Sequence, residues 1–170
     1  MCAWDMSDFS NHAFVKPVRK LLSPGDLEKF KSSPICVEIM SFVLACSEAV
    51  TGCSLSMAAA EELPKDSPIV KIERFMHQLY AQVDACPPLQ QPMRFGNKAF
   101  RVWHAKLVEG VPVFLDDLLP AHLSDAAIEL APYLQDSFGN ETRIDFGTGH
   151  EATFVLFLLA LFKLRLVTED

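Results

Sequence analysis

Apolar side chains recur every three to four residues along much of this chain, and proline and glycine punctuate the gaps. Ile35, Ile39, Phe42, Val43, Cys46 and Val50 follow that rhythm, which places side chains on one face of an α-helix. Ser33-Pro34 precedes the run as cap and first-turn residue, and Thr51-Gly52 follows it as a stop. Ser23-Pro24-Gly25-Asp26 predicts a shorter helix by the same device. A second long helix is predicted from about Pro68 to Asp84, with Ile69, Ile72, Phe75, Met76, Leu79, Tyr80 and Val83 as its apolar stripe. Pro87-Pro88 stops it.

Asn97 then predicts a cap for a helix carrying Phe100, Val102, Trp103, Leu107 and Val108, with a break or kink at Pro112. Helix is expected to continue over 114–119 as far as Pro120, and Ser124-Asp125 predicts the next start, with Ile128, Leu130, Ala131 and Leu134 on one side. Pro132 is expected to bend that helix. Gly139-Asn140 reads as a turn, and a last helix is predicted over 149–166. Residues 1–22 read as a weakly ordered arm, and residues 53–67 as a loop with a helical piece at 57–62. No segment holds a period of two for long. The expected fold class is therefore all-α, with the helical domain spanning 23–170.

Half of the residues are hydrophobic, so either heavy burial or an apolar surface awaiting a partner is expected. The formal charge of −7 lacks the basic balance of a general nucleic-acid binder, and no nucleic-acid partner is expected. Cys2, Cys36, Cys46, Cys53 and Cys86 are odd in number and form no CxxC pair. They read as free thiols of a reducing compartment, cytoplasm or nucleus. Neither cysteines nor histidines show zinc-ligand spacing, so no metal ligand is expected. The N-terminus has no basic segment followed by an apolar core, and no signal peptide is expected. The apolar run 152–162 is shorter than the ~20 residues a bilayer requires, and no membrane partner is expected. Being apolar all round, it suits a central helix packed on every side, and at a chain end it is expected to leave an apolar patch uncovered.

Immediately before that run stands the densest chemistry of the chain, Arg143-Ile144-Asp145-Phe146-Gly147-Thr148-Gly149-His150-Glu151. Its glycines permit close approach of a ligand to the backbone, and Thr148 or Gly149 lies where free N–H groups and the helix dipole favour negative charge. Arg143 adds a planar donor suited to phosphate or carboxylate. An anion site is one reading. The other is a helix start, with Asp145 or Thr148 as cap and Arg143 paired to Glu151. The P-loop pattern is absent, and His150-Glu151 has no second histidine four residues after the first. In a second block, Arg94, Lys98 and Arg101 fall at spacings that put them on one helix face, while Phe100, Trp103 and Leu107 fall on another. A basic docking face and a solvated face over an aromatic core both fit that pattern.

The blocks RFGNKAFRVWHAKL and GNETRIDFGTGHEATF closely resemble those of the phosphotyrosyl phosphatase activator family, the activators of type 2A serine/threonine protein phosphatase. Pro87-Pro88, Gln91-Pro92, Pro120-Ala121-His122-Leu123 and Tyr133-Leu134 extend the resemblance over residues ~87–167, and residues 24–55 resemble the family more loosely. The resemblance implies an all-helical fold of core, linker and lid type. It implies binding to the phosphatase catalytic subunit, with ATP and magnesium at a shared site, and peptidyl-prolyl cis-trans isomerase activity on a proline-containing segment. It implies ATP contacts at Arg143, Thr148 and Gly149, and a catalytic role for Asp145. Arg94, Phe95, Gly96, Asn97, Gly147, His150 and Glu151 are the expected partner or peptide surface. Family members run to about twice this length, and the acidic block that holds their magnesium has no counterpart here. An interaction fragment lacking the composite ATP–magnesium site, inert or competing with a full-length activator, is the alternative expectation.

Overall fold

The computed structural model describes residue 9 and residues 12–54, 63–90, 92 and 96–168. Among them are six α-helices, one 3₁₀ segment and no strand, only an isolated bridge between Asn140 and Asp145. The all-α expectation holds. The helical piece expected at 57–62 lies outside the described residues. The chain divides into two compact units, one comprising Pro17–Leu63 and the other Met1–Lys16 with Pro64–Asp170.

The smaller unit contains α1 (Pro24–Lys31) and α2 (Pro34–Val50). Both begin where the Ser-Pro pairs place them, because a serine oxygen takes an orphan N–H and proline has none to lose. At α1 the box is reciprocal: Asp26 N donates to Ser23 Oγ at 3.2 Å, and Ser23 N donates to Asp26 Oδ2 at 3.0 Å. The Ser23 hydroxyl, followed by the Leu22 and Ser23 amides, holds the Asp26 carboxyl below its ordinary range. A lowered folded pKa means that the cap stabilises α1 above the usual carboxylate value of ~3.9, and that this stabilisation is lost as pH falls through the folded value. The amide signals of Ser23 and Asp26 are therefore expected to shift together on acidification, and Asp26→Ala to abolish the transition. Signals unchanged between about pH 6 and about pH 2 would show that the carboxylate does not cap. Within α2 only Phe42 is buried, while Val37, Met40 and Leu44 on one helical stripe are exposed.

The larger unit is built from α3 (Pro68–Asp84), α4 (Ala99–Leu118), the 3₁₀ segment Ala121–Ala126, α5 (Ala127–Asp136) and α6 (Thr148–Lys163). Successive helices pack on one another, α3 on α4, α4 on α5 and α5 on α6. Their apolar stripes meet in a single core of Ile72, Phe75, Leu79, Leu107, Val111, Leu115, Leu130, Leu134, Phe157 and Leu161. Phe75 and Phe114 stack at 4.3 Å, and Trp103 Nε1 donates to the Leu79 carbonyl at 3.1 Å, fixing the register of α3 on α4. Phe9 and Phe14 also lie against this core.

Three expectations change. Pro112 does not break α4, which runs unbroken to Leu118. Proline leaves the carbonyl four residues back without its helical donor, and Gln135 Nε2 of α5 reaches that carbonyl, Val108 O, at 3.5 Å. Burial of Val111 and Leu115 on either side holds the helix together across the gap. The segment after Pro120 starts at Ala121 as a 3₁₀ turn, ahead of Ser124-Asp125. Finally, the apolar run on α6 is covered: Phe157, Leu159 and Leu161 are buried and its other large apolar side chains are half-buried. Among the described residues, exposed large apolar side chains are most numerous on α2 instead.

Candidate anion and partner site

The loop between α5 and α6 is shaped by two residues that bend it and one side chain that pins it. Gly139 has φ +110°, and a Cβ there would stand 2.7 Å from the Asp145 carbonyl, so only glycine fits. Asn140 Oδ1 accepts from the amides of Thr142 at 3.1 Å and Arg143 at 2.8 Å, an Asx turn. Its backbone accepts from Ile144 N at 2.7 Å and donates to Asp145 O at 3.1 Å, which closes the loop. Ile144 takes a left-handed conformation, φ +54°, to complete the closure.

Within this closed loop Arg143 Nε donates to Asp145 Oδ2 at 2.8 Å, with both side chains at least half exposed. The hydrogen bond and charge of Asp145 raise the guanidinium pKa further above its ordinary value. Arg143 therefore stays charged and is held in one direction. Glu151 is not its partner, because loop closure brings Arg143 and Asp145 together within two residues. Nor does Asp145 or Thr148 cap α6. Gly147 occupies the cap position with extended backbone and offers no side-chain hydrogen bond. Both expected capping details are thereby corrected.

Thr148 and Gly149 follow as the first two helical residues, exposed, and nothing lies within 4 Å of a Cβ built at Gly147 or Gly149. An amino-terminal turn of a sixteen-residue helix with no side-chain cap and open space in front of it can accept an anion. The arrangement fits the phosphate end of ATP: backbone N–H groups and the dipole at Thr148 and Gly149, and a fixed cation at Arg143. For magnesium the fit fails, since no three His, Cys, Asp or Glu side chains converge on a metal position among the described residues.

The residues expected as partner surface divide into two groups. Gly147 and Glu151 are exposed. His150 is buried and serves as a pin: Nδ1 donates to the Asp136 carbonyl at 2.5 Å, Nε2 lies 3.8 Å from Asp145 Oδ1, and the ring stacks on Phe146. A surface role for His150 is corrected accordingly. The Asn97 side chain is turned to its own chain, bonded to both backbone groups of Leu89 and accepting from Ala99 N at 2.9 Å. It thus satisfies one amide at the start of α4, although the cap position itself falls on Lys98. Gly96 is the place where the first block touches the second, since a Cβ there would stand 2.5 Å from Ile144 O. Arg94 and Phe95 lie outside the described residues.

The two sequence blocks thus converge. Arg101 on α4 donates through Nε to Glu141 O at 3.0 Å and through its guanidinium to Thr142 O at 3.3 Å. His104, also buried, places Nδ1 3.6 Å from Glu141 Oε2. Arg101 is therefore a clamp on the loop rather than part of a free basic face. The aromatic half of that pattern is packed as core: Leu107 is fully buried, and Phe100 and Trp103 stack at 5.8 Å. Sequence reasoning missed Asn140, Arg101 and Asp136 as loop supports. The Gly-Asn pair was the one available signal, since it specifies an Asx turn as well as a reversal.

Comparison with known proteins bears on this pair of converging motifs. The family described as phosphotyrosyl phosphate activator (PTPA) protein matches residues 17–170. The chain belongs to this family. A probable serine/threonine-protein phosphatase 2A activator 1 of Dictyostelium discoideum is 34% identical over 157 residues, covering 92% of this chain and 47% of that protein. The serine/threonine-protein phosphatase 2A activator of Drosophila melanogaster is 36% identical over 151 residues, covering 89% of this chain and 37% of the fly protein. The crystal structure of the PP2A phosphatase activator Ypa1 PTPA1 superposes with a TM-score of 0.80 at 31% identity, covering 92% of this chain and 50% of that one. This chain spans half or less of the length of these family members.

Proposed function

We propose that this chain acts in the activation of a type 2A serine/threonine phosphatase. It would bind the catalytic subunit and contribute the phosphate-holding half of a shared ATP site. The observation that carries this reading is the Arg143 guanidinium, fixed by Asp145, five residues ahead of a helix start that has no side-chain cap. Membership of a family whose relatives bear the name phosphatase 2A activator supplies the partner class. ATP would be held at Arg143, Thr148 and Gly149, where it supplies negative charge to N–H donors. Magnesium ligands would come from outside the described residues, and no step here depends on them. The free thiols Cys36, Cys46, Cys53 and Cys86 accord with a cytoplasmic and nuclear setting.

The same loop suits prolyl isomerisation of a bound peptide segment. That reaction needs a barrier of ~18–20 kcal/mol lowered by holding the twisted amide better than the planar one. The Asp145 carboxyl accepts from Arg143 Nε, so its part is to orient Arg143, which donates to the amide, with the Thr148 hydroxyl as a second donor. Asp145 is then a positioning residue.

A second reading has its own support. Since no three His, Cys, Asp or Glu side chains converge on a metal position among the described residues, these residues fit an interaction module that binds the phosphatase without themselves completing the nucleotide–magnesium site. Mixing the protein with phosphatase catalytic subunit, ATP and magnesium separates the two. Under the first reading phosphatase activity rises, and Arg143→Ala lowers the rise by about 10- to 100-fold, the loss of one charged hydrogen bond of ~1.5–3 kcal/mol. Binding of the subunit without activation selects the second reading, and absence of binding overturns both.

A further inference from the structure

A second concavity, apolar at its base with charged side chains along its walls, lies on the face shared by α3 and α4, in a cleft of about 370 Å³. Helical spacing puts Lys71, Arg74, Gln78 and Gln82 along its α3 wall, and Lys106, Gly110, Val113 and Asp117 along its α4 wall. The floor is the stacked pair Phe75 and Phe114. Three cations therefore face one carboxylate, in a protein whose formal net charge is −7.

The charges are not balanced evenly. At one end Lys71 Nζ donates to the Asp117 carbonyl and lies 3.5 Å from Asp117 Oδ1. Among the described residues Arg74, further along, reaches only the Lys65 carbonyl, at 3.3 Å. Lys106 is half-buried and has no ion-pair or hydrogen-bond partner among the described residues. A half-buried ammonium has lost part of its hydration, so it gains more from a partner carboxylate than an exposed one does. Gln82 lines the same end, and its Oε1 is buried without a hydrogen-bond partner among the described residues. Gly110 lies against the floor: glycine costs about 1 kcal/mol in a helix interior relative to alanine, and here a Cβ would stand 3.7 Å from the buried Phe75 ring, so a larger side chain would fill the cleft.

We infer that this cleft binds an acidic peptide segment, a carboxylate side chain flanked by an apolar one. The carboxylate meets Lys106 and Arg74, and the apolar neighbour lies over Phe75, Phe114 and Val113. A peptide N–H supplies the donor that Gln82 Oε1 lacks, after a small rotation of that side chain. This last feature favours a peptide over a simple anion, which carries acceptors and no N–H. Because the surface elsewhere is acidic on balance, an acidic ligand has little reason to bind outside such a cleft. The site is independent of the loop 143–151 and stands whether or not ATP binds there.

The test is fluorescence anisotropy of the whole chain with a fluorescein-labelled peptide of alternating glutamate and leucine. Saturable binding is expected, weakened at least tenfold by Lys106→Glu with Arg74→Glu, weakened by added salt, and retained by Lys106→Arg. Gly110→Leu fills the cleft without changing charge and is expected to weaken binding to a similar degree. Circular dichroism checks that each variant stays helical, and Lys106→Gln replaces the double variant should that one unfold. The proposal is overturned by absence of saturable binding, by unchanged affinity in the charge variants or in Gly110→Leu, or by equal affinity for a lysine-for-glutamate twin peptide. It is also overturned if inorganic phosphate displaces the peptide at equal concentration, which would assign the cleft to a small free anion.

Discussion

Phe157→Ala is expected to destabilise the larger unit by about 3–5 kcal/mol, the range for an aromatic removed from a closed core. Phe157 is fully buried in the middle of α6, within the same core as Leu130 and Leu134 of α5 and Leu107 and Leu115 of α4. Phe154 stacks beside it at 6.1 Å, so collapse into the vacated space is hindered on one side. A domain of this size holds roughly 5–15 kcal/mol in all, so the loss is a large share of it. The melting temperature should fall by about 6–20 °C. Calorimetry or thermal circular dichroism measures it, with Val113→Ala as the comparison. Val113 is 72% exposed and its truncation should stay within about 0.5 kcal/mol. A loss under about 1 kcal/mol at Phe157 would mean that α6 is not the packed centre of this fold.

Much of this architecture was legible in the sequence because its determinants are local. Ser23, Ser33 and Ser67, each followed by proline, open α1, α2 and α3 where they stand. A cap is an interaction between neighbours, and neighbours are visible in a string. Ile72, Phe75 and Leu79 in the apolar stripe of α3 are buried as their spacing indicates, whereas Ile69, Tyr80 and Val83 of the same stripe are exposed. Pro112 failed as a signal because its cost is met from elsewhere, by Gln135 on the next helix and by core packing around it. No local rule carries that compensation.

The site shows the same division. The open helix start at Thr148 and Gly149 and the fixed cation at Arg143 follow from residue types at short spacing. What could not be read is the support. Arg101 looked like one member of a basic face, yet its guanidinium is spent on the carbonyls of Glu141 and Thr142, about forty residues away. His150 looked like a surface contact and is a buried pin between Asp136 and Asp145. The distinction between a contact residue and a support is set by which way the side chain turns, and that depends on tertiary closure. The apolar patch was misplaced for a related reason. The sequence shows how apolar a helix is, and only packing decides that α6 is covered while α2 is not.

If loop closure is what aims Arg143, then Gly139→Ala should undo it from a distance. Alanine at Gly139 must adopt φ +110°, at a cost of about 1–2 kcal/mol. Its Cβ would also press to 2.7 Å from the Asp145 carbonyl, which accepts the Asn140 amide. That carbonyl belongs to backbone and cannot swing aside, so the hydrogen bond yields, with a further ~0.5–1.5 kcal/mol. A local loss of about 1.5–3.5 kcal/mol should raise hydrogen exchange at the Ile144 amide, which bonds to Asn140 O, by roughly one to two and a half orders of magnitude. The core helices should exchange as before, because Gly139 lies beyond the end of α5. Gly147→Ser supplies the contrast. Gly147 is already extended, with nothing within 4 Å of a Cβ, and a serine there can cap α6. That variant should be neutral or stabilising by up to about 1 kcal/mol, and under the function proposed above it should weaken ATP binding by satisfying N–H groups that a phosphate would otherwise meet. Unchanged Ile144 exchange in Gly139→Ala would show that the glycine only reverses the chain and that the Arg143–Asp145 pair is held by other means.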